Sequence, residues 1–89
     1  MDLIKVATGS RVGTTAGSIA GEIRKCGHVE VRAIGAGAVN QAIKAVIVAR
    51  RYLVSDGVEV VCVPSFVELE IRGQERTAIQ LTVAQVLVS

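Results

Sequence analysis

With 89 residues, ten Lys/Arg against eight Asp/Glu and a net charge of +2, the chain has room for one small domain and falls well short of the cationic profile of a dedicated nucleic-acid binder. An apolar content of 51% argues against disorder, no apolar run approaches the ~20 residues of a membrane span, and the start MDLIKVATGS has no signal-peptide layout. A cytoplasmic, soluble protein is expected, with an aliphatic core because Tyr52 and Phe66 are the only aromatics.

Residues 3–8, LIKVAT, read as a short strand, followed by a loop over Gly9, Ser10, Arg11, Val12 and Gly13. Thr14 or Thr15 is expected to cap the helix that runs to about Lys25, since a hydroxyl there can accept from a free first-turn amide. Its buried stripe is Ala16, Ile19, Ala20, Ile23 and Cys26, and Gly27 suits a left-handed stop. Residues 29–34 form a second strand, with Val29, Val31 and Ala33 on one face.

The segment 33–53, AIGAGAVNQAIKAVIVARRYL, opens a second helix with a Gly-x-Gly turn. At helical spacing Ala38, Ala42, Ala45 and Ala49 share one face with Val39, Val46 and Leu53, and Asn40, Lys44 and Arg51 make a polar stripe opposite. A face of alanines makes sense where another backbone must come close. Ile43 and Ile47 lie beside the polar stripe, an apolar shoulder that reads as a dimer interface.

Asp56 and Gly57 turn the chain into residues 58–63, VEVVCV, a strand so apolar on both faces that it must be covered or paired. Pro64 and Ser65 interrupt the ladder, which resumes as Val67, Leu69 and Ile71 alternating with Glu68, Glu70 and Arg72. Gly73, Gln74 and Glu75 turn the chain into a last strand, residues 77–83, with Ile79, Leu81 and Val83 inward. The order is β-α-β-α-β-β in a single domain over residues 1–89. Right-handed crossovers place both helices on one face of a mixed sheet, a two-layer α/β sandwich with a projecting hairpin and a bare face.

Chemical motifs are few. Gly35, Ala36 and Gly37 invite comparison with a dinucleotide fingerprint, but Asn40 holds the third glycine position and Glu59 lies inside a strand, so a tight turn and close helix-sheet contact account for them better. Free amides at that helix start still favour a small anion. Gly17 and Gly21, one turn apart, read as close packing of the first helix on the second or on a partner subunit. His28 reads as a surface histidine, Cys26 and Cys62 as reduced thiols at or near the core without metal spacing, and Glu68 and Glu70 as salt-bridged to Arg72 and Arg76. No nucleophile, acid-base pair, metal cluster or cofactor site emerges, so no enzyme is expected. Cations able to meet backbone phosphates are Arg11, Lys44, Arg51, Arg72 and Arg76.

Nearly the whole chain resembles the stage V sporulation protein S (SpoVS) family, through LIKVA, AGSIAGEIR, AIGAGAVNQAIKAVIVAR, GVEVVCVPSF and GQERTAIQL. The loop TGSRVGT and the tail AQVLVS depart from the family pattern. The resemblance implies an Alba-like fold, related in shape to the C-terminal domain of translation initiation factor three. It also implies a homodimer that binds DNA or RNA through the loop after the first strand, the start of the second helix and the hairpin. Ser10 and Arg11 fall on that loop; Gly35, Ala36 and Gly37 stand where Alba proteins carry cations. A selective site around Arg11, Asn40, Gln41 and Lys44 is what these residues leave, in a protein of sporulation or developmental control. A protein-protein interaction module without nucleic-acid affinity is the alternative.

Overall fold

The computed structural model describes residues 3–86; residues 1, 2 and 87–89, which the single-domain reading includes, lie outside the described residues. Strand β1 (Leu3–Val6) leads to helix α1 (Val12–Cys26), β2 (His28–Ala33), α2 (Ala36–Leu53), a 3-10 turn (Val54–Asp56), β3 (Val60–Ile71) and β4 (Gln74–Gln85). The sheet order is β1-β2-β4-β3, with β1 parallel to β2 and both other pairs antiparallel. The expected two-layer mixed sandwich is therefore the observed one.

Both helices pack on each other and on β1 and β2. The alternation of β2 shows how: Val29, Val31 and Ala33 are buried, while Glu30 and Arg32 between them are half-buried on the other face. Beneath the helices lie Ile19, Ile23 and Leu53 with the alanines 16, 20, 38, 42, 45 and 49, all almost wholly buried. Small side chains on both helices let the backbones approach, which is what the alanine face predicts.

Several local expectations give way. Helix α1 begins at Val12, with Arg11 as an N-cap that offers no side-chain bond; Val12 packs against the core, so burial of that side chain sets the start ahead of the Thr14 and Thr15 hydroxyls. Cys26 is exposed, because it belongs to the last turn, where Gly27 at φ 83 carries the chain towards β2. Gly17 and Gly21 face open space, with nothing within 4 Å of a Cβ built there; they do not serve helix packing within the chain. Strand β3 runs straight through Pro64, which pairs with Leu81. An edge strand tolerates this, since a missing N–H on its outer side leaves no neighbour unsatisfied.

β4 pairs with β2 only from Ile79 to Ala84, yet with β3 along its whole length. Residues 67–78 therefore project as a two-stranded arm, and the molecule is elongated to 44 × 25 × 18 Å. The arm's turn is centred on Arg72 and Gly73, at φ 52 and 77, one position earlier than the sequence implies; Gln74 and Glu75 already belong to β4. A two-residue turn with both φ positive matches the twist of its strands but strains Arg72. Arg72→Asn, which tolerates that region, is expected to raise stability by about 0.5–1 kcal/mol, read as a higher thermal midpoint; an unchanged or lower midpoint would contradict the strain.

Candidate nucleic-acid interface

The C-terminal ends of β1 and β2, the N-terminus of α2 and the projecting arm share one end of the molecule, by strand direction alone. At that end the loop after β1 is closed locally: the Ser10 amide donates to Ala7 O at 3.0 Å and the Ala7 amide to Ser10 Oγ at 2.9 Å. Gln41 on α2 donates its Nε2 to Ser10 O at 2.8 Å. This bond ties the loop to the helix, so exposed Arg11 stands beside the first turns of α2. The same bonds occupy the side chains of Ser10 and Gln41 in holding the loop.

Gly35 caps α2 at φ 91 and ψ 155, a region that only glycine enters freely. Gly37 serves a different end: a Cβ there would come tight against the Thr8 side chain, at 3.0 Å from Oγ1 and 3.1 Å from Cγ2. The Gly-x-Gly turn thus serves dihedral freedom and close approach of α2 to the end of β1. Gly35, Ala36 and Gly37 are all exposed, and the helix start has no side-chain cap, so its first amides face solvent.

Asn40 and Lys44 are exposed one turn apart on α2. Arg51 is exposed too, but it lies in the last turn, at the opposite end of the molecule. Arg72 and Arg76 are on the arm. The expected salt bridges to Glu68 and Glu70 are absent among the described residues, where the ion pairs are Arg24–Asp56 and Arg50–Glu59. Register explains the difference: Arg76 opposes Leu69, Glu70 opposes Glu75, and Arg72 is in the turn. Glu68 instead accepts from Thr77 Oγ1 at 3.0 and 3.1 Å. Arg50 and Glu59, an exposed pair, shift each other, their hydrogen bond raising the guanidinium and lowering the carboxyl. Burial pushes the half-buried Cys62 thiol up.

A second surface adjoins this end. Ala33, Ile79 and Phe66 are aligned by register across β2, β4 and β3 on the helix-bearing face, but α2 covers only the first of them fully. Phe66 is 75% exposed, Ile43 42% and Ile47 46%. Val39, Ile43 and Ile79 line a shallow groove of about 580 Å³ with the start of α2, and Ile79 also borders a hollow under Pro64 and Phe66. Ile43 lies where the helix period places it, on the groove's rim. Phe66 escaped the sequence reading, because only the strand order reveals that it lies on an edge strand, paired with β4 alone.

A family model for stage V sporulation protein S (SpoVS) matches residues 2–86. The chain belongs to the SpoVS family. Among solved structures this SpoVS-family chain is similar to Alba from Thermoplasma volcanium, with a TM-score of 0.60 and 15% identity over 93% of this chain and 99% of that one. At that identity the likeness shows the Alba-like fold. No helix of the described residues is long and apolar enough to cross a membrane. No group of three or more His, Cys, Asp or Glu among them could hold a metal ion.

Proposed function

We propose that this SpoVS-family protein is a non-enzymatic regulator that binds DNA or RNA as a homodimer in the cytoplasm. The observation that carries the reading is the gathering, towards one end of the fold, of the loop bearing Arg11, the N-terminal half of α2 bearing Asn40 and Lys44, and the arm bearing Arg72 and Arg76. These are the three elements through which the family resemblance implies nucleic-acid contact. Two copies joined through Ile43, Ile47 and Phe66 would double the cations available to one polyanion, which a chain of net charge +2 requires. Ser10 and Gln41 act by positioning the loop, and the exposed amides of Gly35 to Gly37 add donors to phosphate oxygens. Arg51, at the far end, makes no contact with a strand held there.

The test is nucleic-acid binding across a salt series. Arg11→Gln with Lys44→Gln is expected to weaken binding and reduce the slope of log K against log salt by about two, one for each lost phosphate contact. Wild-type protein with no salt-sensitive affinity for either DNA or RNA would overturn the reading. The exposed aliphatic face of β3, with Val61 at 51% and Val63 at 59%, favours a second reading, an interaction module for a protein partner. It expects wild-type protein to retain a partner and ignore polyanions.

A further inference from the structure

Lys5 and Arg32 were given no role by the sequence, yet the β1-β2 register makes them direct partners. Two cations therefore stand side by side on the face the helices leave bare, where like charges in register repel. Both line a cleft of about 500 Å³ between the ends of β1 and β2 and the part of the arm that leads into its turn, with Ala7, Ile34, Leu69 and Ile71 among its walls. Among the described residues neither cation has an ion pair. Arg32 is held by a neutral side chain: its Nε and Nη2 donate to Gln80 Oε1 at 3.0 and 2.8 Å. This orients the guanidinium without neutralising it. Glu30, on the same strand face, is occupied by the Thr82 hydroxyl at 2.7 Å.

We propose that this cleft binds an aliphatic carboxylate, its head group between Lys5 and Arg32 and its hydrocarbon body against Ile34, Leu69 and Ile71. The volume is within the range of small-ligand sites, roughly 300–1,000 Å³. The walls are aliphatic and contain no aromatic ring, so they suit a hydrocarbon chain and offer no platform for stacking a base. Arginine's planar fork matches a carboxylate, and the lysine adds a second charge to the head group. Glu70, also in the wall, repels any further negative charge along the ligand. The site therefore selects a single-headed anion over a polyanion, and it is independent of the nucleic-acid reading above.

An amide NMR titration with octanoate below its micelle concentration tests it, with inorganic phosphate and a short oligonucleotide as parallel arms. Saturable octanoate shifts are expected at residues 5–8, 32 and 69–71. Lys5→Gln, at an exposed position where folding is preserved, is expected to weaken octanoate binding about tenfold, while Arg11→Gln with Lys44→Gln leaves it unchanged. No saturable shift, shifts centred instead on Ile43 and Phe66, or indifference to Lys5→Gln would overturn the proposal. So would phosphate binding as well as octanoate, which would mark a bare anion site. Oligonucleotide binding lost in Lys5→Gln without any octanoate binding would assign the cleft to the nucleic-acid surface, and would likewise overturn it.

Discussion

Leu53→Ala is expected to cost about 2–5 kcal/mol, the range for truncating a fully buried leucine whose cavity only partly collapses. Leu53 is wholly buried at the end of α2. That end is pinned from outside by Arg24, whose Nε donates to Asp56 Oδ2 at 3.0 Å and whose Nη2 donates to Tyr52 O at 3.1 Å. The pinned backbone limits relaxation into the void, which favours the upper part of the range. In a domain of this size total stability is on the order of 5–15 kcal/mol, so the variant should melt roughly 10–30 °C lower. Val54→Ala is the matched control: one residue on, 73% exposed, it should change stability by less than about 0.5 kcal/mol. Both melts must be run at one protein concentration, because self-association stabilises the folded state by mass action. Equal losses in the two variants would show that Leu53 is not part of the core.

Ile43→Lys with Ile47→Lys is expected to weaken self-association at least a hundredfold and yield monomer at micromolar concentration. Each isoleucine is a little under half exposed in the single chain, leaving on the order of 1 kcal/mol per side chain to be gained by burial in a partner. An isologous interface uses each residue twice, so the double variant forfeits roughly 3–5 kcal/mol, or two to three decades in Kd. It also places four charges in the contact. Because both side chains lie outside the core, the circular dichroism of the variant should match that of the wild type. Light scattering or sedimentation reads the result. A monomeric wild-type protein would remove this interface, and with it the doubling of cations on which the proposed function relies.

Much of the fold was legible because its signals are local. The 3.6-residue spacing of alanines in α2 places Ala38, Ala42, Ala45 and Ala49 on the buried face without reference to anything else in the chain. Gly27, Gly57 and Gly73 mark left-handed positions that glycine alone fills without strain. The alternation of Val29, Val31 and Ala33 likewise fixes which face of β2 meets the helices. Where local signals misled, a tertiary contact outweighed them. Val12 started α1 early by packing into the core, against the preference of threonine hydroxyls for a cap. Edge position allowed Pro64 to remain within β3, and antiparallel register separated Glu70 from the arginines expected to neutralise it.

The candidate site was less legible, for a physical reason. Charge contacts depend on distance, and sequence spacing gives distance only within one helix or strand. Asn40 and Lys44 could be placed together on α2. That Gln41 would reach Ser10 across 31 positions, or that Lys5 would stand beside Arg32, depended on how the strands pair.

The sequence by itself determined the element order, the aliphatic core and the alanine packing face, which rest on residue type and period, and its matching segments carried the resemblance to the SpoVS family. Only the tertiary structure decided that Gly37 packs close to Thr8, that Phe66 is left bare beside Ile79, and that two cations meet over a cleft on the open face. Period and propensity act along the chain, whereas these features arise between segments brought together by folding.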